Sequence, residues 1–113
     1  MAHVRDGASN TILIGEKYLN ADHYATGEVA ADNENIFTGF NNDIFRPASA
    51  SYPPRQDRPG FTSTIRFGSV HSVGCHFVFC DGSVRVIDFH VDPTVYSRLG
   101  NRRDGKAVDY SEL

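Results

Sequence analysis

Residues 75–89 read CHFVFCDGSVRVIDF, and this stretch decides the fold. Aromatic and β-branched residues lie on both sides of the pair Asp81-Gly82, and runs of this composition form strands. An Asp-Gly pair between two such runs is typical of a two-residue hairpin turn, because a type I′ turn needs positive φ at both central positions. The stretch therefore predicts an antiparallel β-hairpin.

A two-residue turn also predicts which side chains face each other. Phe79 would lie opposite Val84 and Phe77 opposite Val86, with all four on the face that covers the core. Cys75 and Cys80 flank the first strand at an odd separation, which places their side chains on opposite faces and disfavours a disulfide between them.

A short helix is predicted after the hairpin. Asp92 is a good N-cap, Pro93 suits the first helical position, and Gly100 can end the helix. The inward-facing residues, at three- and four-residue spacing, would be Val95, Tyr96 and Leu99. Residues 106–113 either form an edge strand or fray.

The first half of the chain is less regular. Residues 11–19, TILIGEKYL, predict a central strand buried on both faces, because its first half is an unbroken apolar run. Residues 20–34 read as loop, and the prolines of residues 46–60 exclude continuous regular structure. Between them, apolar side chains look like anchors on the core: Ile36, Phe37, Phe40, Ile44 and Phe45.

Length and composition indicate one small domain, residues 1–113, of α+β class, with a variable loop-rich insertion at 20–60. The net charge of −3 and the lack of a basic stripe argue against nucleic-acid binding. No run approaches the roughly 20 apolar residues that span a bilayer, so we expect a soluble chain without membrane contact.

The motifs resemble those of a family of bacterial prepilin-type proteins. His71, nine further residues and then Asp81-Gly82 match that family's H-X9-DG element. Residues 6–12, DGASNTI, followed by Gly15-Glu16, are similar to its upstream motif, and residues 92–105 are similar to its C-terminal end. The upstream positions that match most directly are Asp6, Gly7 and Asn10.

This resemblance implies a head domain of a type IV pilin or of a type II secretion pseudopilin. In such proteins a β-sheet head lies outside a long hydrophobic N-terminal helix, which forms the filament core. That helix is not present here, so we expect a head fragment at the bacterial cell surface or in the periplasm. Its role would be structural rather than enzymatic, through self-association or contact with other pilin-like subunits.

The resemblance also raises the question of a metal, since some pseudopilin heads hold calcium near the C-terminal sheet. The residues that could ligate it, Asp88, Asp92, Asn101 and Asp104, equally suit capping and turn roles. No other cofactor is expected. A zinc group of His71, Cys75 and His76 fits no standard ligand spacing.

Two other functions stay open. One is a binding module for glycans or proteins, in which Tyr24, Tyr52 and Phe61 form an aromatic contact patch. The other is a hydrolase that uses His71 with Asp81 or Glu16. Against the hydrolase, strand geometry separates His71 from Asp81, and we expect His71 instead to hydrogen-bond a loop backbone.

Overall fold

The computed structural model describes residues 7–32, 37 and 43–101. The fold is α+β, as predicted. Its strands are β1 (Ile12–Gly15), β2 (Arg55–Gln56), β3 (Gly68–Ser69), β4 (Gly74–Phe79) and β5 (Val84–Asp88), and its helix is α1 (Pro93–Leu99). Two 3₁₀ turns complete the regular structure, at Ala8–Asn10 and Ala21–His23.

Strands β1, β4 and β5 form an antiparallel sheet in the order β1-β4-β5, and β2 pairs with β3 in a small parallel sheet. The prediction of a central, doubly buried strand at 11–19 is wrong: β1 lies at the side of the described sheet, and Leu13 and Ile14 are exposed. The register slips between Ile12, which pairs with Phe79, and Ile14, which pairs with Val78. This bulge interrupts the alternation of side chains along β1, which an apolar run alone cannot reveal.

The hairpin forms, but its loop contains three residues instead of two. Phe79 N–H donates to the Ser83 carbonyl and Gly82 N–H to the Phe79 carbonyl, both at 2.9 Å. Gly82 has φ of 85°, and among the described residues only glycines have positive φ. Asp81 therefore cannot occupy a type I′ turn, and the loop is a tight turn followed by a left-handed glycine.

The longer loop shifts the strand register by one residue. Phe77 lies opposite Arg85, and Val78 lies opposite Val84. The predicted pairs of Phe79 with Val84 and Phe77 with Val86 are wrong, because a one-residue shift moves every side chain of one strand to the other face. Val84 and Val86 are accordingly 62% and 48% exposed.

The core lies between the sheet and α1. Side chains of β4 and β5 pack on those of the helix and of the segment before it. The buried residues are Cys75, Phe77, Phe79, Ile87, Val91, Val95, Tyr96 and Leu99.

The helix prediction is confirmed: Asp92 Oδ1 accepts the Thr94 and Val95 amides at 2.8 and 3.2 Å. Both thiols are free, with Cys75 buried and Cys80 half-buried.

Polar contacts help to hold the loops between β1 and β3. Lys17 Nζ donates to the Ala31 carbonyl at 2.8 Å and pairs with Asp32 at 2.7 Å. The predicted anchors that are described, Phe37, Ile44 and Phe45, are exposed, so they do not pin this segment to the core. Ile36, Phe40 and the predicted edge strand at 106–113 lie outside the described residues.

Within the part of the chain that the structure describes, no helix has the length and apolarity needed to cross a bilayer.

Candidate functional site

The outer face of the β1-β4-β5 sheet, opposite the core, presents a row of apolar side chains. Ile14 pairs with Val78 across β1 and β4, and Val78 pairs with Val84 across β4 and β5. Directly paired residues point to the same side of a sheet. Ile14 and Val84 are each 62% exposed. We call Ile14, Val78 and Val84 the apolar row.

The next row of the outer face is polar. His76 lies opposite Val86 on β5, and on the other side the chain continues past β1 to Glu16. The Glu16 amide donates to the His76 carbonyl at 3.4 Å, and the His76 amide donates to Glu16 Oε2 at 2.8 Å. The carboxylate therefore lies over the backbone of β4.

Two imidazoles converge on this carboxylate. His71 Nε2 lies 3.4 Å from Glu16 Oε1, and His76 Nδ1 lies 3.4 Å from Glu16 Oε2. The two rings are edge to face, with centroids 5.0 Å apart. One ligand atom from each residue lies within 4.8 Å of the others, and all three side chains are partly exposed. We call this group the Glu16–His71–His76 cluster.

The structure does not bring His71 and Asp81 together. They lie beyond opposite ends of β4, and six residues of strand separate those ends by roughly 20 Å. Asp81 Oδ1 instead accepts the Ser83 hydroxyl at 2.6 Å and the Ser83 amide at 2.9 Å. These two bonds lower the pKa of Asp81. The ring of His71 contacts Glu16 and His76 instead of the expected loop backbone.

The two halves of the sequence motif meet in space. The Asp81 amide donates to the Ala8 carbonyl at 3.1 Å, and the Cys80 amide donates to the Thr11 carbonyl at 2.8 Å. Gly7, with φ of 88°, starts the turn, and the Asn10 amide closes it on the Gly7 carbonyl. The upstream motif thus supports the hairpin loop. Asp6 lies outside the described residues.

The carboxylates considered for calcium make local contacts. Asp88 Oδ1 accepts the His90 amide at 2.7 Å and lies 3.1 Å from His90 Nδ1, and these bonds lower the pKa of Asp88. Asp92 caps α1, and the Asn101 amide donates to the Arg98 carbonyl. Asp104 lies outside the described residues. Calcium binding by these residues stays a prediction.

The aromatic residues of the loops make a mixed contact with arginines. The Arg55 and Arg58 guanidinium carbons lie 4.3 and 4.9 Å from the centroid of the Phe61 ring. Tyr24 is tied to the same segment through its hydroxyl, which bonds Asp57 at 2.9 Å. Tyr52 is exposed, and the guanidinium carbon of Arg66 lies 5.6 Å from the centroid of its ring.

Sequence reasoning missed the cluster as a unit: it considered His71 with Cys75 and His76 for zinc, and His71 with Asp81 or Glu16 for hydrolysis, but never the three residues together. The signal that could have found it is the alternation of β1, which puts Glu16 on the same face as Ile14, together with the pairing of β1 with β4. That pairing could not be read from residues 11–19 by themselves, because nothing local to them specifies a partner strand.

Comparison with known proteins gives one result. A family model described as "Protein of unknown function (DUF1559)" matches residues 1–94, which include both halves of the motif and all five strands. No curated protein and no solved structure matches the chain.

Proposed function

Since the chain belongs to the DUF1559 family of proteins of unknown function, we propose that it is the head of a pilin-like or pseudopilin-like surface subunit. Its role would be to build or display an extracellular or periplasmic assembly, not to catalyse a reaction. The observation that carries this proposal is the apolar row on the outer face of the sheet.

Exposure of the apolar row to water is unfavourable in free energy. Burying apolar surface is favourable by about 25 cal/mol per Å², so three adjacent aliphatic side chains across a sheet favour a covering partner. Single exposed apolar residues are ordinary, whereas contiguous ones mark interaction surfaces. Ile14 and Val84 lie at the two ends of the row, and each is 62% exposed.

The geometry favours contact through this face over pairing at the edge of β1. Strand β1 has only four residues and carries a bulge, and short bulged edges resist the addition of another strand. Contact through the aliphatic face of the sheet does not require the addition of another strand at that edge. We therefore assign the apolar row to the contact with a neighbouring copy of this chain in the assembly.

The test compares two charged substitutions at valines of equal exposure. Val84→Glu places a carboxylate in the apolar row, whereas Val70→Glu places one in the loop before β4, where the valine is also 62% exposed. Both variants are produced in the source bacterium, surface filaments are sheared off, and the protein in that fraction is measured by immunoblot.

We expect wild type and Val70→Glu in the filament fraction and Val84→Glu depleted from it, because a buried unpaired charge is strongly unfavourable. The purified variants should unfold at similar urea concentrations. A protein that never leaves the cytoplasm, or a Val84→Glu variant that assembles as well as wild type, would refute the proposal.

A second function, recognition of a glycan or protein, is favoured by the contacts of the Phe61 ring with Arg55 and Arg58, since aromatic residues and arginine are enriched at binding hot spots. Arg58→Ala should then abolish capture on a glycan array or in a pull-down while filament assembly continues. Equal capture by wild type and Arg58→Ala would count against this function.

A further inference from the structure

We propose that the Glu16–His71–His76 cluster is a binding site for a divalent transition-metal ion, with two imidazole nitrogens and one carboxylate as protein ligands. This inference does not depend on the proposed assembly role. Three features of the cluster support it: the separations of the ligand atoms, the contacts that hold them in place, and the coordination position that remains open.

The separations in the cluster suit a shared ion better than direct hydrogen bonds. Both nitrogen–oxygen distances are 3.4 Å, beyond the range of about 2.7–3.2 Å for good N–H···O bonds. Two atoms bound to one tetrahedral Zn²⁺, each at about 2.05 Å, lie roughly 3.3–3.4 Å apart. Each imidazole nitrogen thus lies at such a distance from one Glu16 oxygen, His71 from Oε1 and His76 from Oε2, and one ligand atom from each of the three residues lies within 4.8 Å of the others.

The chemistry of the three groups also favours a cation. Two protonated imidazoles with centroids 5.0 Å apart would repel each other, whereas two neutral ones each offer a lone pair. Imidazole nitrogen and carboxylate oxygen are common ligands of zinc, and two histidines with one carboxylate form a recurrent metal-binding set. Cys75 takes no part, since its side chain lies in the core on the opposite face.

Hydrogen bonds hold in place the segments that carry the three ligands. The His76 amide holds one oxygen of Glu16 at 2.8 Å, an outer contact of the kind that orients metal-binding carboxylates. The Gly68 amide bonds the Glu16 carbonyl at 2.9 Å. The His71 amide bonds the buried Ser69 hydroxyl, which itself donates to the Gly74 carbonyl at 2.7 Å. Forming the site therefore requires little reordering.

Three protein ligands leave at least one coordination position, and the partial exposure of all three side chains lets water fill it. The site resembles open metal sites more than closed structural ones. Its affinity should therefore depend on every ligand, because within residues 7–32, 37 and 43–101 no fourth protein group joins the cluster to compensate for a loss.

The experiment is a zinc titration of tag-free protein, first treated with a chelator, by isothermal titration calorimetry at neutral pH. The ligand variants are His71→Ala, His76→Ala and Glu16→Gln, and the last of these keeps an acceptor for the His76 amide. The matched controls are His90→Ala and His23→Ala, which remove histidines that also lie 3.1 Å from one carboxylate but have no second imidazole.

We expect one zinc ion per chain in wild type and in both controls. Each ligand variant should lose at least tenfold in affinity, since even outer-shell partners of a ligand are worth about 10–100-fold. Zinc should also raise the thermal midpoint of wild type and controls but not that of the ligand variants, because only the folded chain forms the site. Circular dichroism of each variant verifies that it is folded.

Two results would overturn the proposal. One is wild-type protein that binds no zinc at millimolar concentration. The other is binding that persists in His71→Ala, or that falls as much in His90→Ala as in the ligand variants, which would identify scattered surface histidines as the ligands.

Discussion

The Tyr18 hydroxyl donates a hydrogen bond of 2.7 Å to the carbonyl oxygen of Phe61, across 43 positions of sequence. The same two side chains also meet edge to face, with ring centroids 5.6 Å apart. Tyr18 is fully buried, and burial raises its pKa. This pair ties the segment after β1 to the loop that precedes β3.

Tyr18→Phe should lower the free energy of unfolding by about 1–2 kcal/mol, because the part-buried carbonyls of Phe61 and Arg58 lose the Tyr18 hydroxyl as donor. Urea denaturation followed by circular dichroism measures the change. The ring itself is retained, so the loss reports the hydrogen bond and not the packing of the aromatic pair.

The matched control is Tyr96→Phe. Tyr96 is equally buried, and its hydroxyl, whose pKa burial raises, has no hydrogen-bond partner among the residues that the structure describes. Removing an unpaired buried hydroxyl should leave stability unchanged or increase it slightly. Equal losses in the two variants would contradict the assigned role of the Tyr18 bond.

The register of the hairpin predicts a large loss of stability on substitution at one position of β5 and almost none at another. Ile87→Ala should cost about 2–5 kcal/mol, since Ile87 is fully buried opposite Cys75. Val84→Thr should change stability by less than about 0.5 kcal/mol, because Val84 faces solvent. Both are measured by urea unfolding of the purified protein. A larger loss of stability in Val84→Thr than in Ile87→Ala would contradict the observed register and support the register of a two-residue turn.

The two thiols should react at very different rates. Burial raises the pKa of Cys75 to about 12, so at about pH 8 its thiol stays protonated and inaccessible. Cys80 is half-buried beside the hairpin loop. A disulfide reagent should therefore modify one thiol quickly in the folded protein and two after denaturation. Cys80→Ser should remove the fast reaction, and fast labelling that persists in that variant would contradict this assignment.

The Asp81 carboxylate should titrate below its ordinary value of 3.8, because the Ser83 hydroxyl and amide bond its charged form. A folded-state pKa below the unfolded one contributes stability at pH above 3.8, and this contribution disappears as the pH falls through the folded value. Carbon-detected NMR titration measures the pKa. Ser83→Ala should raise it while the pKa of Asp88, set by His90, stays unchanged. An Asp81 pKa as low in Ser83→Ala as in wild type would exclude the hydroxyl as its main cause.

Local sequence signals determined several features of this protein. Asp81-Gly82 between two apolar runs specified a hairpin, because glycine accepts the positive φ that a tight loop needs. Asp92 and Pro93 specified the start of α1, and the spacing of Val95 and Leu99 specified its buried side. Each of these depends on contacts within about four residues, so a short window of sequence contains the necessary information.

Tertiary structure alone decided the rest. One additional loop residue moved Val84 and Val86 from the core to the outer face, and the pairing of β1 with β4 alone placed β1 at the side of the described sheet. The Ala8–Asp81 contact and the approach of Glu16 to His76, 60 positions away, exist only after the strands have paired. Such contacts depend on which segments best bury their apolar side chains together. That is a property of the whole packed chain and not of any short stretch.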